Sequence, residues 1–347
     1  MIRIIVDCMG GDHSPDAQVQ GAIGALHDHP DLSLILFGDA GAIGALLDAE
    51  KKLDRDRITV IDAPEVIGCD EKPSDAIRLK KDSSMMRAVR MLREDDGIAG
   101  MVSCGSTGAL VAAAMLRIGR LRGIIRPAFC PVLPTMSGGI VGISDTGANV
   151  DITPDHLVQY AVMGSLYLSK VYGVDEPRVA LLNIGVEAEK GDDLRRRAYP
   201  LLQKTPGIRF VGNMESRDLL SGKYDLVVTD GFAGNVLVKS TEGACLEMLK
   251  KLKKDIFSRT IYKLGALLMS RMFKEEKAFM NYQNYGGSVL LGCAKTGIKG
   301  HGSSRATAVE KCIDQCYRME SERFSEDTEA AIALCPTEQS EAAGVTG

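Results

Sequence analysis

Four short segments combine glycine with residues able to hold an anion or move a proton. They are Asp7-Cys8-Met9-Gly10-Gly11-Asp12-His13, Ser103-Cys104-Gly105-Ser106-Thr107-Gly108, Asp145-Thr146-Gly147-Ala148-Asn149 and Asp230-Gly231-Phe232-Ala233-Gly234-Asn235. Each follows a short apolar run, the place where strands of a parallel sheet deliver ligand-binding loops. Four such turns point to one shared site. In the second, glycines expose backbone N–H groups ahead of an Ala-rich helix, whose positive end would hold a small anion such as phosphate. Gly105, Ser106, Thr107 and Gly108 are therefore candidate phosphate binders, although Ser106 or Thr107 serves equally as a plain helix cap. In the fourth, Asp230 can take or position a proton, and Asn235 can donate to a developing oxyanion. Asp145 and Asn149 form a similar pair. Asx turns use the same residue types for local hydrogen bonds, so both readings stand for each pair.

Among the five histidines, His301 lies in Lys299-Gly300-His301-Gly302-Ser303-Ser304, where flanking glycines let an imidazole approach a ligand. His13 has the carboxylates of Asp7 and Asp12 beside it; His27, His29 and His156 read as surface or structural. A further candidate is Lys190 in the run Asn183 to Gly191, with Glu187 as its partner. A solvated charge run explains that segment equally well.

Several familiar chemistries are missing. Gly10-Gly11 replaces the GxGxxG dinucleotide fingerprint after the first strand, and no GxxxxGK[ST], HExxH or GxSxG occurs. The 347 residues are 45% hydrophobic and 25% charged, as in a folded globular chain. A net charge of −4 and an aromatic content of 5% with no Trp give no footprint for nucleic acid. The nine cysteines include no CxxC, so neither a disulfide framework nor a zinc knuckle is expected, and a reducing cytoplasm fits. Met1 to Asp7 reads as a strand rather than a secretory leader, and no apolar run approaches a membrane span.

The elements that must position these residues alternate. Strands are expected at 2–6, 32–37, 58–62, 98–103, 140–144, 178–184, 208–212 and 225–229, and helices near 15–28, 74–94, 107–118, 154–172, 191–204, 236–256 and 304–324. Nearly continuous apolar strands belong to a mainly parallel sheet covered on both faces, hence a doubly wound α/β/α fold. Residues 1–325 form one such unit, and 326–347 read as a frayed tail. Residues 250–277 carry nine Lys/Arg against three Asp/Glu in a chain that is acidic overall. There Leu264, Leu267 and Leu268 recur at helical steps between Lys253, Lys254, Arg259, Lys263 and Arg271. A basic amphipathic helix or hairpin of this kind suits an anionic bilayer, an acidic partner or a subunit interface.

With these motifs in place, the chain resembles the bacterial phosphate acyltransferases (acyl-acyl-carrier-protein:phosphate acyltransferases) of phospholipid synthesis. The likeness covers most of residues 1–325 and rests on the four turns above, on Leu182-Asn183-Ile184-Gly185 through Lys190-Gly191, on Tyr285-Gly286-Gly287 and on His301-Gly302-Ser303-Ser304. Cys104 and Ser106 stand where that family has Ala and Asn, and Ser288-Val289 where it has Ala-Pro. The resemblance implies an isopropylmalate-dehydrogenase-like α/β/α homodimer without metal or organic cofactor. It implies transfer of a long fatty acyl group from acyl carrier protein to inorganic phosphate, and a cytoplasmic enzyme peripherally bound to the inner face of the cell membrane. A membrane glycerol-3-phosphate acyltransferase would take the product. Phosphate is already a nucleophile, so positioning and charge stabilisation suffice. It would sit on the Gly105–Gly108 turn and against Gly234, offset by Lys190 and His301, with Asn235 at the oxyanion and Asp230 orienting the nucleophile. A covalent route through Cys104 is the rival mechanism. The competing functions are a phosphotransacetylase-like enzyme using acyl coenzyme A and a non-catalytic, carrier-protein-binding membrane scaffold.

Overall fold

A computed structural model describes residues 1–68, 70–279 and 285–338, and the side chains of all of these but 276–279. The first half winds as β1 (Ile2–Asp7), α1 (Asp16–Asp28), β2 (Leu32–Gly38), α2 (Ala40–Asp48), β3 (Ile58–Asp62), α3 (Pro73–Leu79), α4 (Ser84–Glu94), β4 (Ile98–Ser103) and α5 (Thr107–Ala113). Two short strands, β5 (Ala128–Cys130) and β6 (Val132–Pro134), then cross to a second sheet. Its elements are β7 (Ile140–Ser144), α6 (Pro154–Tyr172), β8 (Arg178–Asn183), α7 (Asp193–Lys204), β9 (Arg209–Glu215), β10 (Leu226–Val228) and α8 (Gly231–Ile256). After α9 (Thr260–Leu268) and α10 (Ser270–Phe279), the chain returns through β11 (Ser288–Leu291), β12 (Thr296–Lys299), α11 (Ala306–Ser321) and α12 (Phe324–Ile332).

The α/β architecture is the expected one, mostly parallel, and it is divided between two sheets. The larger runs β3-β2-β1-β4-β12-β11-β5 and the smaller β6-β7-β10-β8-β9. Both are parallel except where β11 and β6 run against their neighbours. Strand alternation shows why helices cover both faces. Ile4 and Val6 of β1 pack into the core under α1 and α11, while Ile5 points to the opposite cluster under α4. In β10, Leu226 and Val228 join the main core and Val227 faces the other side. One apolar cluster unites the sheets, with α6, buried along most of its length, passing through it.

Three expectations need correction. The helix expected over 74–94 is two, because Lys80 leaves the helical region and Ser83 caps a new start, its Oγ accepting from Met86 N–H. The helix expected over 107–118 is α-helical only to Ala113; a π turn carries it on to Ile118 before Gly119 ends it at φ 86°. The tail is not frayed from residue 326. In α12, Phe324, Thr328 and Ile332 repeat every four residues and all are buried. Beyond it, Glu338 still pairs with Arg197 at 2.7 Å. Residues 339–347 of that expectation lie outside the described residues.

Candidate active site

Three strand ends of the larger sheet are stacked backbone to backbone. Gly10, after β1, has no room for a side chain because a Cβ there would meet the backbone of Gly105 after β4. Asp12 N–H donates to Gly302 O at 2.8 Å, and Gly300 N–H to Ser103 O at 3.0 Å, which ties in the loop after β12. Beneath this stack lies Asp7, fully buried, accepting from Ser84 Oγ at 2.6 Å, Ser103 Oγ at 2.7 Å and Met9 N–H at 3.2 Å. Burial raises its pKa, opposed by those donors and by the charge of Lys299. Asp7 is thus a buried brace. Asp12 and His13 are exposed on the outside of the turn.

The second sheet contributes a different hub. Asp145, after β7, is fully buried. Its Oδ1 accepts from the N–H groups of Phe129 (2.9 Å), Thr146 (2.6 Å), Gly147 (3.2 Å) and Ala148 (3.2 Å), and its Oδ2 from Asn149 N–H (2.6 Å) and Nδ2 (3.2 Å). Asn149 Nδ2 also donates to Pro127 O at 2.6 Å, and Asn149 O receives Gly231 N–H at 2.7 Å. Asp145 and Asn149 therefore do the local hydrogen bonding of an Asx turn, and they seat α8. Gly234 packs its first turn so tightly on this loop that a Cβ would overlap Asp145 O. Close packing explains Gly234.

Between the two hubs opens a cleft of about 270 Å³. Thr107 from the start of α5, Thr146, Asn235 from α8, His301 and the Gly286-Gly287 backbone line it, with Lys239 and Glu242 farther along α8. Its apolar wall is Phe129, Pro131, Val132 and Val238. Lys299, at the end of β12, is buried at its floor, and Nζ donates to Cys104 O at 3.4 Å and to Gly300 O. Ser303 N–H points at His301 Nδ1 at 3.3 Å, so in the neutral ring the proton is assigned to Nε2. The Gly286-Gly287 segment is set by Gln315, whose Oε1 accepts from Gly287 N–H at 2.9 Å and whose Nε2 donates to Tyr285 O at 3.1 Å.

Thr107, Asn235 and His301 are thus brought together, and the others are not. Asp230 caps α8, accepting from Ala233 N–H at 2.9 Å, and pairs with Arg195 at 2.7 Å. It faces a separate cleft of about 670 Å³ with Arg126, His156 and Phe232. Residues 230 and 235 are five apart, a helical offset of roughly 140°, so one motif addresses two clefts. Lys190 and Glu187 are exposed in the loop after β8 and do not line the Asn235 cleft. Asn183 holds that loop closed, donating to Lys190 O at 3.0 Å. Ser106 spends its Oγ as the cap of α5, accepting from Ala109 N–H, while Gly108 packs beside Pro73. Cys104 is buried, and burial raises its thiol pKa; the lowering expected from a helix N-terminus does not win, and an acyl group has no access. Sequence reading passed over Lys239 and Lys299. The signals were the i, i+4 step from Asn235 and a lysine closing a short apolar strand.

The family described as "Fatty acid synthesis protein" matches residues 2–327. The chain belongs to that family. A phosphate acyltransferase from Halalkalibacterium halodurans is 43% identical over 96% of this chain and 97% of its own length. Another, from Bacillus subtilis, is 44% identical over 93% of this chain and 96% of its own. In fold, the family member resembles a phosphotransacetylase from Streptococcus pyogenes (TM-score 0.60, 17% identity, 92% of this chain and 94% of that one). It likewise resembles a branched-chain phosphotransacylase from Enterococcus faecalis (TM-score 0.52, 12% identity, 92% and 100% covered).

Proposed function

We propose that the protein transfers a long-chain acyl group from acyl carrier protein to inorganic phosphate, giving acyl phosphate. Membership in a family whose curated relatives are named phosphate acyltransferase supports acyl transfer to phosphate. The observation that carries the mechanism is the cleft, where two lysines, an uncommitted carboxamide and a hydroxyl meet an apolar wall. Phosphate sits between Lys299, Lys239 and Thr107. One phosphate oxygen attacks the thioester carbonyl, forming the C–O bond as the C–S bond breaks and thiolate leaves. Asn235 Nδ2 donates to the carbonyl oxygen as it gains charge, and His301 Nε2–H donates a hydrogen bond to the departing thiolate, which takes up the proton that the phosphate gives up on becoming acyl phosphate. This role set replaces the one resting on Asp230 and Lys190.

The distal helices support delivery to a surface. On α8 nothing beyond Val238 is buried, and Lys253, Lys254, Arg259, Lys263, Leu264, Leu267, Leu268 and Arg271 are all exposed. Among the described residues no helix is long and apolar enough to cross a membrane. This basic, apolar-studded helical segment instead suits peripheral contact with an anionic bilayer, where a glycerol-3-phosphate acyltransferase would take the product. Exposed Val150 and Phe232, which line the Asp230 cleft, and exposed Val236 on α8 suit a homodimer contact. Leu267→Asp combined with Leu268→Asp should abolish flotation with anionic liposomes; unchanged flotation would refute the membrane role of α9.

The donor is tested by thiol release from palmitoyl-acyl carrier protein, with palmitoyl coenzyme A in parallel. Release from the carrier protein alone supports this reading. Equal use of coenzyme A would favour a phosphotransacetylase-like enzyme, and no release from either a binding scaffold.

A further inference from the structure

We infer that the cleft-side stripe of α8, centred on Leu246 and Leu249, seats the acyl chain of the donor; this rests on the acyl-transfer reading above. Asn235, Val238, Glu242, Leu246 and Leu249 follow one another at steps of three, four, four and three, which places them on a single helix face. The inner three line the cleft, so the outer two continue its wall. Leu246 is 56% and Leu249 45% exposed, large apolar side chains left open on a helix that buries nothing past Val238.

Size and direction choose the occupant. A cleft of about 270 Å³ is at the small end of ligand pockets and must already admit phosphate and a thioester. A long acyl chain has to leave it. From Asn235, at the reacting carbonyl, to Leu249 the helix rises about 21 Å at ~1.5 Å per residue, comparable to an extended palmitoyl chain. Glu242 marks the mouth, where polar cleft gives way to apolar stripe. The stripe runs toward the α8–α9 junction, so the chain end lies nearest the surface proposed above to receive the product.

The test compares wild type with Leu246→Gln/Leu249→Gln in phosphate-dependent thiol release, without lipid, from palmitoyl- and hexanoyl-acyl carrier protein. The double variant should lose about tenfold or more in kcat/KM for palmitoyl and stay within about twofold for hexanoyl. Leu116→Gln changes an exposed residue beyond α5 and should leave both donors unaffected. An equal loss for both donors with an altered sedimentation coefficient would make the stripe a subunit contact. No loss, or a palmitoyl-selective loss in Leu116→Gln instead, would also overturn the seat. Wild type lacking turnover with every donor would defeat the acyl-transfer reading itself. Calorimetric titration with a palmitoyl phosphonate then decides the seat separately: weaker binding to the double variant supports it, and equal binding refutes it.

Discussion

Lys299→Met is expected to lower kcat/KM for acyl transfer about a thousandfold while the protein stays folded. The reason lies in where the charge is held. Lys299 is buried at the end of β12, with its ammonium on the carbonyls of Cys104 and Gly300 at the cleft floor. A fixed cation in a water-poor site needs no reorganisation when phosphate approaches the carbonyl, and removing one such group typically costs a factor of 10² to 10³ or so. Methionine fills a similar volume, so packing is largely kept. Two carbonyls lose a donor, a stability cost of about 1–3 kcal/mol. Wild-type turnover in this variant would remove Lys299 from the mechanism, and a melting curve checks that any loss is not unfolding.

Asp145→Ala should destabilise the protein by about 3–5 kcal/mol, enough to consume much of the stability of an ordinary domain. The carboxylate receives six N–H donors from Phe129, residues 146–149 and the Asn149 amide. Alanine takes the acceptor from the five backbone N–H groups together, while Asn149 Nδ2 keeps Pro127 O, and frees the loop that seats the first turn of α8. Activity should fall with the fold, because Asn235 rides on that helix. Asp145→Asn keeps Oδ1 but sets an NH₂ group against the two Asn149 donors, so its loss should be intermediate. Urea unfolding orders the three proteins; equal midpoints would contradict the hub. Burial raises the Asp145 pKa, so the folded state keeps the proton to higher pH than the unfolded chain. This group's own contribution therefore weakens as pH rises from the ordinary carboxylate range through its folded value.

Apolar runs made the long strands legible. β1, β2, β4, β7 and β8 stand within a residue of expectation because each is a nearly unbroken buried stretch; β3, an edge strand with no fully buried residue, shows instead through its Ile-Thr-Val-Ile run. β5, β6, β11 and β12 have three or four residues each, too few for a period to show, and the split into two sheets went with them. The same blind spot hid Lys299, which closes β12. In the candidate site, glycine turns pointed to the right strand ends but not to the faces their side chains take. Asp230 and Asn235 share one motif yet address opposite sides of α8. Asp145, Asn149, Gly234 and Ser106 looked like ligand groups because caps, Asx turns and close packing draw on the same residue types.

The central claim is direct attack by phosphate bound in the Asn235–Lys299 cleft. Phosphorus NMR of the protein with palmitoyl-acyl carrier protein and inorganic phosphate tests it most directly. An acyl-phosphate resonance should grow one-for-one with free thiol, and both should slow together by about a thousandfold in Lys299→Met. Thiol released at the same rate without phosphate, or an acyl group found on the protein before phosphate is added, would contradict it.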